Sequence, residues 1–136
     1  MQSLTFNETI VEEACVSILE ALGYEIAFGP DVTGDSVLAI RTLPSETILG
    51  NRLTASLFKL NPSIPSEAIE EAIRKVTIPQ SPSLIANNRA FHRMLVDGVE
   101  VEYRRKDGSI AGDRVWLVDF DNPQANDWLA VNQFTV

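Results

Sequence analysis

Val99-Glu100-Val101-Glu102-Tyr103-Arg104-Arg105-Lys106-Asp107-Gly108 is the stretch on which the fold class turns. Its apolar residues occupy alternate positions, the period of a strand with one buried face, and Lys106-Asp107-Gly108 is a turn signal. A second apolar run, Val115 to Phe120, follows at hairpin distance. Past the turn signal Asn122-Pro123, the stretch 128–136 reads as a third strand. Residues 99–136 are therefore predicted to form an antiparallel hairpin or meander. Because what precedes them is mostly helical in period, the class is α+β.

Working back from Val99, Gly98 closes a helix predicted from about Ser83 to Asp97, with Leu84, Asn88, Phe91 and Leu95 on one face. Before it, a helix after Pro65-Ser66 carries Glu67, Glu70 and Glu71 early and Arg74-Lys75 late, in line with its dipole. A further helix is expected from Ser45 as cap, with Ile48, Leu49, Leu53, Leu57 and Leu60 as its stripe and Asn61-Pro62 as its stop. These three form a helical insertion over about 45–97. Residues 31–44 show no clean period and read as an irregular loop, with a short apolar contact at Val37-Leu38-Ala39-Ile40.

At the N-terminus, Thr5-Phe6-Asn7-Glu8 has the form of a capping box. Ile10, Val11, Ala14, Cys15, Ile18, Leu19 and Leu22 then recur at helical spacing, so Cys15 reads as a small buried residue. Gly23 stands where a left-handed C-terminal cap is wanted, and Tyr24 to Phe28 alternates as a short strand. The whole, residues 1–136, is read as one domain.

Composition restricts function. With 11 basic and 19 acidic residues the net charge is −8, unfavourable for gripping phosphates. Residues 1–62 carry 3 basic against 8 acidic side chains, whereas residues 63–97 are balanced at 4 against 4. No apolar run approaches membrane-spanning length and no secretory signal is visible, so a cytoplasmic location with no membrane contact is expected.

None of the seven glycines is followed by lysine or lies in a Gly-rich cluster, which excludes a phosphate-binding loop. Nucleases of the PD-(D/E)-x-K class need acids for magnesium and a lysine two residues beyond one of them. Two places before Lys59, Lys75 and Lys106 stand Leu57, Ile73 and Arg104, so that element is absent. Asp119 with Asp121, and Glu8 with Glu12, are the nearest carboxylate pairs. Turn formation explains the first and a solvated helix start the second. His92 has no second histidine or cysteine near it and reads as a surface or half-buried residue, and no metal site is predicted. Arg89 with Arg93, and Arg104-Arg105-Lys106, are the candidate DNA-contacting cations, with ordinary surface pairing to acidic neighbours as the plainer account.

Several separated blocks carry a family resemblance: Leu22-Gly23-Tyr24-Glu25; the run Ser81 to Arg93; Val99 to Arg105; Asp119-Phe120-Asp121-Asn122-Pro123 with Asn126-Asp127; and Val131-Asn132-Gln133-Phe134-Thr135-Val136. Together, and in this order over nearly the whole chain, they resemble the N-terminal domain of the restriction (R) subunit of Type I restriction-modification enzymes. The resemblance implies a partial PD-(D/E)-x-K nuclease fold, here the N-terminal part of a nuclease domain. In such subunits that domain is followed by two helicase-like motor domains. The intact subunit joins methylation and specificity subunits, binds DNA, and uses Mg²⁺ and ATP to translocate and cleave it.

In that family the Asn-Gln-Phe-Thr-Val strand is followed by an Arg-Pro-Asp segment and a Glu-x-Lys. Neither lies within these 136 residues, so this chain alone is expected to hold no cofactor and to be inactive. By position Glu12, and after it Glu8, would be the supporting acid near the metal. The alternative class is a stand-alone module that binds DNA or protein without cutting, and a hydrolase using Asp119 and Asp121 ranks last. The final strand is expected to offer an edge or face to further β partners.

Overall fold

A computed structural model describes residues 7–34, 41, 43 and 45–135 of the chain. Four helices are present among them: α1 (Glu8–Ala21), α2 (Gly50–Leu60), α3 (Ser66–Thr77) and α4 (Leu84–Asp97). Four strands accompany them: β1 (Glu25–Phe28), β2 (Val99–Arg104), β3 (Ile110–Val115) and β4 (Leu129–Asn132). The α+β class stands. Packing divides the chain into two compact units, one of residues 1–49 with 128–136 and the other of residues 50–127.

In the second unit α3 lies on the β2–β3 hairpin, which is antiparallel with Val99 opposite Val115 and Arg104 opposite Ile110. Leu57 from α2, Ala68, Ile69 and Ala72 from α3, and Val99, Val101 and Val115 from the hairpin form the core. The alternation seen at Val99, Val101 and Tyr103 therefore marks the inward face, as expected. The second hairpin strand is 110–115 and not the apolar run 115–120: Gly108, at φ +87°, closes the turn, and the register it sets uses up the pairing at Val115. The α3 charges fall as read, with Glu67 in the first turn and Arg74 and Lys75 in the last. Ser83 caps α4 by accepting from the Ala86 amide at 3.3 Å, and Gly98 ends it at φ +80°. Leu84, Ile85 and Phe91 of α4 are nevertheless exposed.

Helix α2 begins four residues later than the Ser45 cap predicts. The Glu46 amide donates to the Leu43 carbonyl in a turn, and the Glu46 carbonyl accepts from Arg41, so this backbone is engaged outside a helix. Asn61, just past α2, is buried and bonds in three directions. Its Nδ2 donates to the carbonyls of Leu57 (2.8 Å) and Trp116 (2.9 Å), and its Oδ1 accepts from the Trp116 amide (2.7 Å).

In the first unit the expected meander gives way to a different topology. β4 does not join the hairpin; it pairs in parallel with β1, Glu25 opposite Leu129 and Phe28 opposite Asn132. The sheet is two-stranded among the described residues, with α1 packed on both strands. A parallel partner must come through a long connection, and this one encloses the whole second unit. The Glu25 amide donating to the Trp128 carbonyl (2.9 Å) starts the ladder, and the Tyr24 and Trp128 rings meet beside it at 5.4 Å.

Candidate functional site

Helix α1 starts two residues later than the capping box would place it. Thr5 lies outside the described residues, as do Val37 to Ile40; the cap is Asn7, whose Oδ1 accepts from the Ile10 amide at 3.0 Å. At the other end Gly23 adopts φ +97°, its amide donating to Glu20 and that of Tyr24 to Leu19, the double closure expected of a left-handed cap. The helical period is as read, but the phase is not. The half-buried positions of α1 are Glu12, Val16 and Leu19, while Val11 (53%), Ile18 (60%) and Leu22 (70%) are exposed. Cys15 is exposed too, which corrects its reading as a buried residue. The same rotation brings Glu12 inward.

Glu12 meets the exit of β4. The Gln133 side-chain nitrogen donates to both carboxylate oxygens of Glu12, each at 2.9 Å. Gln133 itself has φ +52°, a left-handed conformation that ends the regular strand directly after Asn132. The sharp exit is accommodated by Gly29, where an added Cβ would lie 2.0 Å from the Gln133 carbonyl oxygen. Glu8, by contrast, is exposed in the first turn of α1.

Arg41 holds the next two residues. It is 6% exposed, its guanidinium lies 3.6 Å from the centre of the Phe134 ring, and its Nη2 donates to the Thr135 carbonyl at 2.6 Å. Its Nε donates to Thr33 Oγ1 at 2.7 Å and its Nη1 to the Glu46 carbonyl at 3.0 Å. Sequence reasoning missed both Arg41 and Gln133. For Arg41 the only available signal was a single cation between the apolar residues Val37 to Ile40 and Leu43.

The remaining candidates are placed without converging. Arg89, His92 and Arg93 are exposed on α4, and Arg104, Arg105 and Lys106 at the hairpin tip. None of these four arginines and one lysine forms an ion pair with another described residue. The pairs that do form are Arg52 with Asp127, Lys75 with Glu71 and Arg114 with Glu100. Asp119 is a turn former: its Oδ1 accepts from the amides of Asp121 (3.1 Å) and Asn122 (2.9 Å), and Asn126 brackets its backbone. At the hairpin tip the Ser109 hydroxyl and amide both donate to Asp107, holding its carboxyl below the usual range.

One cleft sets a lysine among acids. Lys75 Nζ donates to Glu71 at 2.9 Å and to the Glu100 carbonyl at 2.7 Å, near Glu102 and Asp113. The Lys75 ammonium lowers the Glu71 pKa, against a smaller opposing effect of burial. Magnesium needs several oxygen donors converging on one point. No group of three His, Cys, Asp or Glu side chains able to hold a metal occurs among the described residues, in that cleft or beside Glu12.

Residues 5–136 match the family model described as Type I restriction enzyme R protein N terminus. The chain belongs to that family. It is 31% identical over 130 residues to the Type I restriction enzyme HindI endonuclease subunit of Haemophilus influenzae. It is 30% identical over 130 residues to the MjaIXP endonuclease subunit of Methanocaldococcus jannaschii, also of type I. Each match covers 96% of this chain and 12% of the relative, so the chain spans about an eighth of the length of the curated relatives it matches. No solved structure matches it. No helix among the described residues is long and apolar enough to cross a membrane.

Proposed function

We propose that this chain is the N-terminal part of the nuclease domain of a Type I R subunit, with a PD-(D/E)-x-K-like core begun by β1 and β4, and that by itself it does not cut DNA. The observation that carries this reading is the parallel β1–β4 pair, with Glu12 of α1 fastened to Gln133 at the strand exit. Parallel strands have their ligand-binding ends together, and a helix carboxylate held at that end suits a supporting acid. Glu12 takes that role and the exposed Glu8 does not. What supports the incapacity is supply: phosphodiester hydrolysis by this route needs magnesium-binding acids beside an ammonium group, and among the described residues no three His, Cys, Asp or Glu side chains gather as a metal site would require.

In the intact subunit the chain would act within an assembly with methylation and specificity subunits that translocates and cleaves DNA using ATP and Mg²⁺. Arg89 and Arg93 on α4, and Arg104, Arg105 and Lys106 at the hairpin tip, are cations open to phosphate contact there. With a net charge of −8, the chain alone should hold DNA weakly.

The test has two arms. Purified chain incubated with supercoiled plasmid and Mg²⁺ should leave the plasmid intact; reproducible nicking lost on Asp119→Asn would favour a self-sufficient hydrolase. An R subunit carrying this segment, assembled with its companion subunits, should lose DNA cleavage when the segment is deleted. Cleavage surviving that deletion would instead favour a binding module without a part in the chemistry.

A further inference from the structure

We infer that Arg41 is a positioning residue for DNA cleavage, fixing the course of the chain as it leaves β4; this rests on the nuclease reading. The β1–β4 ladder ends at the Phe28–Asn132 pair, and the next residue turns to φ +52°. Among the contacts described for residues 133–135, side chains from elsewhere in the unit do the holding. Glu12 takes the Gln133 amide, and Arg41 takes the Phe134 ring and the Thr135 carbonyl. Burying a guanidinium is costly unless its donors are used, and here the fork spans three oxygens from three separate places: Thr33, Glu46 and Thr135.

A planar fork that also lies on an aromatic face cannot be replaced by an ammonium, which is a point charge on a flexible stem. The geometry thus ties the exit of β4, next to Glu12, to the turn at Thr33 and the segment at Glu46. Chemistry supported from this strand end would depend on that tie at the scale of tenths of an ångström. Arg41 touches no reacting atom in this account; it acts through the backbone it holds.

The experiment uses the assembled complex, with an R subunit carrying this segment, and measures DNA cleavage and DNA-stimulated ATP hydrolysis side by side at saturating Mg²⁺. Arg41→Lys and Arg41→Met should slow cleavage roughly tenfold or more, while ATP hydrolysis stays within about twofold of the parent. Thr33→Ala, which removes one anchor and leaves the guanidinium buried, should slow cleavage about threefold with ATP hydrolysis unchanged.

Cleavage at the parent rate in Arg41→Lys overturns the inference. So does a loss of cleavage and ATP hydrolysis together, in proportion to the folded fraction, since that is a purely structural role. If the Arg41 variants do not fold, parent-rate cleavage in Thr33→Ala overturns it. In each case a segment-deleted subunit that no longer cleaves leaves the nuclease reading standing, whereas one that still cleaves removes that reading itself.

Discussion

Asn61 and Gly29 each secure a junction between elements through backbone atoms, and neither advertises itself by hydrophobicity. Asn61 satisfies a carbonyl at the end of α2 and both polar groups of Trp116 past β3. Asn61→Ala leaves those groups without their partner in a buried place, so a loss of about 2 kcal/mol is expected, read as a fall in the midpoint of urea unfolding. Asn61→Asp keeps the acceptor for the Trp116 amide but sets a carboxylate against two carbonyls, and should be no better. At Gly29 the argument is space: a methyl group 2.0 Å from the Gln133 carbonyl oxygen forces backbone to move. Gly29→Ala should cost roughly 1–3 kcal/mol, and the same strain should weaken the Glu12–Gln133 contact. An unchanged melting temperature for Gly29→Ala would show that β4 leaves the sheet along another path.

Elements whose bonds are local were legible in the sequence, and elements whose partners are distant were not. Helices α3 and α4 fall where period and caps place them, because their hydrogen bonds connect neighbours in sequence. The hairpin from Val99 was visible for the same reason. The pairing of β4 with β1 was hidden, since an apolar run such as Leu129-Ala130-Val131 does not say which of two sheets it enters. The phase of α1 was hidden too, because both of its stripes contain apolar residues and only packing chooses between them. Hence Glu12 was found as a candidate through family position, while its contact with Gln133, 121 residues away, could not be read.

A prediction at this scale concerns α3. The Glu71 carboxyl, with its pKa lowered by Lys75, is favoured in its charged form by folding. Its stabilising effect is present above the carboxyl's unfolded value of 4.5 and is lost as pH falls through the lower folded value. With a third of the side chain exposed the pair is a surface one, so Glu71→Gln should cost about 0.5 kcal/mol at pH 7. The difference from the parent should shrink as pH falls below 4.5 and vanish once the pH is below the folded value, and a gap that persists in acid would mean that the charge is not its source.

At the scale of the whole molecule, apolar burial among the described residues is unequally divided between the two units. The core cluster of Leu57, Ala68, Ile69, Ala72, Val99, Val101 and Val115 lies entirely within residues 50–127. In the unit of residues 1–49 with 128–136, the described buried residues are Gly29, Val32 and Arg41, and α1 has none. Area removed from water is the main term opposing chain entropy, so the two units should differ in stability, and the one closed by the four-residue strands β1 and β4 should open first. The chain carries a reporter for each. Its two tryptophans are Trp116, in the second unit, and Trp128, which stacks near Tyr24 in the first. Trp116→Phe leaves fluorescence to report the first unit, and Trp128→Phe leaves it to report the second. In urea the Trp128 signal should change at lower denaturant than the Trp116 signal, and amides of β1 and β4 should exchange faster than those of β2, β3 and α3. Superimposable transitions with equal slopes would mean a single cooperative block and overturn the expected order of opening.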